Sequence, residues 1–160
     1  MALEGSREAL DDDIERIADL ARTAIAELEP MRGGRVWRDR EARPEPLEAG
    51  LRELLKLDTA LVLAGTFDDV VVGYAVVRVE EMPSGDHLGV VDDIFVEDGA
   101  RGVGVGEAMM DEMVAWCVAR GCVGMDAMAL PGARQTKNFF EELGFTARKL
   151  VLHHSLREKP

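Results

Sequence analysis

Val90-Val91-Asp92-Asp93-Ile94-Phe95-Val96-Glu97-Asp98-Gly99-Ala100-Arg101-Gly102-Val103-Gly104-Val105-Gly106 is the stretch on which the reading of this 160-residue chain turns. Its first seven residues are β-branched or apolar around two acids, the composition of a buried strand. Beyond it, Val105, Met109, Met110, Met113, Val114, Cys117 and Val118 fall at helical spacing, with Asp111, Glu112 and Arg120 on the other side. The glycines therefore join a strand to a helix. Three of them on alternate positions leave no Cβ between the backbone and a ligand. The first amides of the helix lack an intrahelical acceptor and, with the helix dipole, make a site for an anion. A phosphate-bearing ligand is predicted.

Spacing narrows the choice. A dinucleotide fingerprint needs Gly-x-Gly-x-x-Gly, but after Gly102 and Gly104 the third glycine comes one residue early, and Glu107 stands in its place. A nucleotide-triphosphate loop ends in Gly-Lys-Ser/Thr, and no lysine lies between Arg101 and Arg120. Both common phosphate loops are disfavoured. The run Arg101-x-x-Gly104-x-Gly106, directly after Ile94-Phe95-Val96, instead resembles the acyl-CoA-binding motif of the GNAT superfamily of N-acetyltransferases. Lys137-Asn138-Phe139-Phe140-Glu141-Glu142-Leu143-Gly144-Phe145 is similar to that family's later helix, which commonly ends in Tyr-Glu-x-x-Gly-Phe. The likeness covers roughly residues 58 to 156. It implies an α/β (α+β) fold with a mixed, mostly antiparallel sheet, helices on both faces and one splayed parallel strand pair.

At this length one domain over residues 1–160 is expected, able to bury ~70% of the surface its unfolded chain exposes. Cys117 and Cys122 fit neither a disulfide framework nor a metal cluster and read as reduced and buried, and no metal is expected. No apolar run approaches the ~20 residues of a membrane span, which points to a cytoplasmic protein with no membrane partner. A formal charge of −12 argues against general nucleic-acid binding. It is compatible with a cationic acceptor, although a solubilising acidic surface is the favoured reading.

Along the chain, Asp11-Asp12-Asp13 supplies a helix start, and Ile14, Ile17, Ala21, Ala24, Ile25 and Leu28 form one stripe ending before Pro30. From Met31 to Pro46 the pattern breaks at Gly33-Gly34, Pro44 and Pro46, and Arg32, Arg35, Arg38, Arg40 and Arg43 make it basic. Two readings stand: a solvated connection, or a flap over the site with Trp37 as an acceptor contact. A short helix with Leu47, Leu51, Leu54 and Leu55 inward follows. Thr59–Phe67 and Val70–Glu80 are strands joined at Asp68-Asp69, and Pro83–Asp86 turns into the strand ending at Val96. Gly121 caps the glycine-loop helix, Cys122–Leu130 is a parallel strand, and Pro131 begins a helix that Gly144 ends. Phe145–Leu156 reads as a closing strand that could pair across a homodimer.

The resemblance implies that acetyl-CoA lies on the loop and that a small-molecule or peptide amine attacks its thioester directly. On that basis Phe95, Val96, Arg101, Gly102, Val103, Gly104, Val105 and Gly106 line the coenzyme site, with Phe140 beside it and Arg134 and Lys137 near its phosphates. The Phe95–Val96 backbone is placed as oxyanion donor. For the base, Asp92 and Asp93 are adjacent and expected to point to opposite faces, so only one looks into the cleft. Asp92, sharing a face with Ile94 and Val96, comes first, acting through water. His153 or His154 is the alternative, and His153 is also placed at the acceptor. Where the family often has a tyrosine this chain has Phe140, which carries no proton, and Ala133 replaces a frequent asparagine. Three functions remain open: an N-acyltransferase, an acyl-CoA-binding sensor without chemistry, and a nucleotide- or partner-binding module whose glycines merely turn the chain.

Overall fold

The computed structural model describes residues 3–157. Among these, five strands form one sheet in the order β1-β2-β3-β4-β5: β1 Glu4–Glu8, β2 Ala60–Phe67, β3 Val70–Glu81, β4 His87–Val96 and β5 Cys122–Ala127. The first four are antiparallel neighbours and β5 runs parallel to β4. The helices are α1 Ile14–Leu28, α2 Gly34–Arg40, α3 Leu47–Leu55, α4 Val105–Ala119 and α5 Arg134–Glu142.

Alternation along the central strands sorts the core into two layers. Val62, Ala64, Tyr74 and Val76 face α1 and α3, where they meet Ile14, Ile17, Leu20, Leu47 and Leu51. Leu61, Leu63, Ala75 and Val77 face α4, against Val105, Met109, Met110, Met113 and Cys117. The mixed sheet with helices on both faces is therefore as expected. Asp68 and Asp69 turn β2 into β3 with φ of 51° and 64°, the double left-handed pattern of a tight two-residue hairpin.

Three expectations change. The Met31–Pro46 connection contains α2, because Gly33 and Gly34 start a helix rather than break one. Gly33 takes φ of 84° at its N-cap, and a Cβ on Gly34 would lie 2.0 Å from the Leu28 carbonyl oxygen, so α2 crosses the end of α1 only with glycine there. Helix α5 begins at Arg134 and not at Pro131, since Leu130–Ala133 first closes a turn, Ala133 N–H donating to Leu130 O at 2.9 Å. That turn packs on the α1–α2 connection, where a Cβ on Gly132 would come within 2.7 Å of Arg32 N. Lastly, Phe145–Leu156 is no strand of this sheet. Among the described residues no strand pairs beyond β5, and Leu150, Val151, Leu152 and Leu156 are 83, 80, 91 and 90% exposed.

Leu63 of β2, fully buried on the face that meets α4, is a direct probe of this layering. Leu63→Ala is expected to lower the unfolding free energy by about 2–5 kcal/mol in urea titrations, with the slope unchanged.

Candidate active site

The site starts where β4 and β5 part. Their parallel pairing runs from His87 with Cys122 to Val91 with Ala127 and stops there. β5 was expected to reach Leu130, but Met128–Leu130 leaves the sheet. β4 continues for five more residues with β3 alone. Glu97 N–H donates to Val72 O at 2.9 Å, which sets the phase of that ladder. Phe95, opposite Tyr74, also faces β3, so Ile94 and Val96 direct their N–H groups to the side that β5 has vacated.

The cleft so opened has a volume of about 640 Å³. One end is the glycine loop. Gly102 and Gly104 take φ of 80° and 93°, conformations that residues with a β-carbon rarely adopt, and they deliver the chain into α4. Ala108 N–H to Gly104 O, at 3.0 Å, is the first main-chain bond of that helix, so Val105, Gly106 and Glu107 present amides with no intrahelical acceptor. Gly106 has a further reason to be glycine: a Cβ there would lie 3.1 Å from the Phe139 ring, so α5 packs directly on the first turn of α4. Arg101 serves the loop from behind. Its Nε donates to Val96 O at 2.7 Å, its Nη2 to Glu27 at 2.8 Å, and its guanidinium lies 5.4 Å from the centre of the Phe95 ring.

At the other end stand the acids. Both Asp92 and Asp93 border the cleft, which overturns the expectation that they point to opposite faces. Val76 and Val77 of β3 pair with Asp93 and Val91, leaving Asp92 as the extra residue of a β-bulge. A bulge sets two residues against one and breaks strict alternation. Asp93 shares the single N–H of Arg43 Nε between its two oxygens, each at 3.0 Å, and accepts one bond from Arg43 Nη2 at 2.6 Å and one from the Tyr74 hydroxyl at 2.8 Å. Arg78 Nε donates to Asp92 at 2.9 Å. Burial, then the charge of Asp93, pushes the Tyr74 hydroxyl well above the usual phenol range. Burial also raises the Asp92 carboxyl, and Arg78 opposes it only in part. For Arg43 burial acts downward, but Asp93 prevails and the guanidinium is held above its ordinary value.

Of the residues singled out in the sequence, Trp37, Asp92, Asp93, Phe95, Val96, Arg101, Gly102, Gly104, Val105, Gly106, Arg134 and Phe140 meet at this one cleft. Val103, Lys137 and His153 do not border it. Val103 is exposed, Lys137 pairs with Glu141 at 3.0 Å, and His153 lies exposed on the C-terminal segment. Sequence reasoning missed Arg43 and Tyr74. One was hidden in a run of arginines, and the other required the β3–β4 register. It also missed the wall supplied by Met128–Leu130. A second depression lies over α3, away from the glycine loop and the vacated edge of β4.

Residues 22–145 match the acetyltransferase (GNAT) family. No curated protein matches the sequence. Among solved structures, a variant of the BH1408 protein from Bacillus halodurans superposes with a TM-score of 0.82 at 18% identity, over 95% of this chain and 99% of that one. AAC(6')-Iy in complex with the bisubstrate analogue CoA-S-monomethyl-acetylneamine gives 0.74 at 19% identity, over 96% and 98%. A predicted acetyltransferase from Clostridium acetobutylicum, solved with acetyl-CoA, gives 0.70 at 15% identity, over 96% of each chain.

The raised Asp92 carboxyl has a stability consequence of definite sign. A group whose folded-state pKa lies above its unfolded value stabilises the fold at pH below the unfolded value, and that stability is lost as pH rises through the folded one. Asp92→Asn is therefore expected to melt higher relative to the parent at pH ~7 than at pH ~4, read from thermal midpoints across the carboxylate range.

Proposed function

Because the chain belongs to the acetyltransferase (GNAT) family, we propose that its cleft transfers an acetyl group from acetyl-CoA to a primary amine by direct attack. The observation that carries this reading is the continuity of one cleft from the free amides at the start of α4 to the vacated edge of β4. The residues present fit the co-substrate. Gly102 and Gly104 hold the loop amides open at positive φ, the N-terminus of α4 favours a diphosphate, and Arg134 at the start of α5 adds a cation on the same side. When bound, acetyl-CoA supplies an activated thioester.

This chain's own residues then divide the work. Val96 N–H, facing the gap, stabilises negative charge on a carbonyl oxygen placed there. Asp92 takes the ammonium proton of the acceptor, directly or through one water. Its burial brings the carboxyl closer to the working pH than an ordinary aspartate. Asp93 is bound by Arg43 and Tyr74, so its role is to position: it fixes the guanidinium of the α2–α3 connection against β4 and shapes the acceptor side. Of the acids on its border, Glu27 and Asp93 are already paired with Arg101 and Arg43, so Asp92, held by Arg78 alone, is the one placed to meet a cationic amine. Phe140 is buried and the Tyr74 hydroxyl is committed to Asp93, so solvent supplies the proton for the departing thiolate. A thiolate of pKa ~8.5 leaves without help.

Phe140 is also the observation that favours a second reading, an acyl-CoA-binding sensor using the same cleft. Thiol release from acetyl-CoA with a panel of amines separates the two: coenzyme binding with release by none of them supports the sensor. For the enzyme, Asp92→Asn is expected to lower kcat/KM about 100-fold near neutral pH and to remove the acid limb of the pH–rate profile. Unchanged turnover would clear Asp92 of the role of base.

A further inference from the structure

The walls of the cleft decide which amine it can hold. A coenzyme on the glycine loop and the vacated edge of β4 leaves the α1–α2 side to the acceptor. Ile25 and Leu28 of α1, Met31, and Trp37 of α2 border the cavity there, with Met128 and Leu130 beyond β5. The two walls meet at their ends. A Cβ on Gly33 would lie 3.4 Å from Pro131 Cδ and 3.7 Å from Leu130 Cδ2, and one on Gly132 would lie 3.1 Å from Met31 Cβ. The α1–α2 turn therefore packs on the turn after β5, and the acceptor side is an apolar recess.

The charges on that recess are nearly all spent. Asp93 is answered by Arg43 and Glu27 by Arg101. Glu107 stands on the first turn of α4, at the end given to the diphosphate. Asp92, with Arg78 Nε at 2.9 Å, remains as the single receptor for an ammonium on the acceptor side. Among the described residues no other acid borders the cleft, whereas Arg43, Arg101 and Arg134 do. A second ammonium on the acceptor would lie against Met31, Trp37 or Met128, where a charge taken from water finds no partner. An alkyl or aryl arm in the same place gains by leaving water.

We propose that the acceptor is a small monoamine with one apolar arm, its ammonium on Asp92 and its arm among Leu28, Met31, Trp37 and Met128. This names the substrate class of the acetyl-transfer reading and rests on it. Amines with several ammonium groups are turned away by the same walls. In the transfer the C–S bond of the thioester breaks as the C–N bond forms. Of the two protons that the ammonium gives up, one goes to Asp92 and on to solvent, and the other, through solvent, to the departing thiolate.

Ethylamine, butylamine, hexylamine and 1,6-diaminohexane, each with acetyl-CoA, test it by thiol release. From ethylamine to hexylamine kcat/KM is expected to rise about 3-fold per methylene. The diamine, of the same length as hexylamine with a second charge, is expected at least about 30-fold below it. Trp37→Ala should lower the hexylamine-to-ethylamine ratio about 10-fold. Met128→Asp, at a position 47% exposed, should cut the preference for hexylamine over the diamine by about the same factor. A diamine as good as hexylamine, or ratios that neither variant moves, overturns the proposal and leaves acetyl transfer standing. Binding separates the two readings further. In Trp116→Phe, which removes a tryptophan stacked on Arg120 outside the cleft, the emission of Trp37 reports acceptor binding to the coenzyme A complex. Saturation by hexylamine and not by the diamine, with no thiol released by any amine, would overturn the transfer and uphold the class of amine. Hexylamine that neither binds nor reacts overturns the class itself.

Discussion

The structure depends on an interaction that stops: the parallel ladder between β4 and β5 ends at Val91 and Ala127. A parallel pair continued to Val96 would use up the N–H groups of Ile94 and Val96 and leave a closed sheet. Ended where it is, it leaves those donors facing a cavity, while the antiparallel ladder to β3 keeps the same residues rigid. The bulge at Asp92 comes one residue after the last parallel pair and re-aims the strand as its partner departs. Pre-aimed donors on a rigid strand need no reorganisation when charge develops against them.

Around that gap, the charged groups hold elements together before they do anything else. Arg43 reaches from the α2–α3 connection to Asp93, which ties a basic and glycine-punctuated stretch to the sheet. Arg101 closes the opposite end, capping Val96 O and pairing with Glu27 of α1. Two arginines therefore fix the two ends of the cleft to α1, α2 and β4. A pair such as Arg43 and Asp93, only 23 and 15% exposed, is supported by a further donor to the carboxylate, the Tyr74 hydroxyl.

Much of this was legible in the residues, and the failures have physical causes. The stripe on α1, the Asp68-Asp69 hairpin and the strand–glycine–helix unit are local patterns, set by periodicity and by φ that few residues adopt. Asp92 and Asp93 could not be oriented, because a bulge is a mismatch of counts between two strands and one strand's sequence does not contain it. Gly33-Gly34 read as a break, since the Leu28 carbonyl that requires glycine at position 34 is distant information. Five arginines between Met31 and Pro46 looked alike, and only the fold selects Arg43. The C-terminal run has the apolar pattern of a strand and forms none, because a strand needs a paired edge and among the described residues nothing in this sheet pairs with it.

Main-chain amides at the start of α4 and on β4 then form one ligand surface. Backbone amide shifts in a ¹⁵N-labelled sample titrated with coenzyme A address it residue by residue. Large, saturable shifts are expected at Gly102, Gly104, Gly106 and Val96, and those at the three glycines should vanish when pantetheine, which lacks the diphosphate, replaces the coenzyme. Binding of coenzyme A that leaves those amides unmoved, or equal glycine shifts with pantetheine, would contradict it.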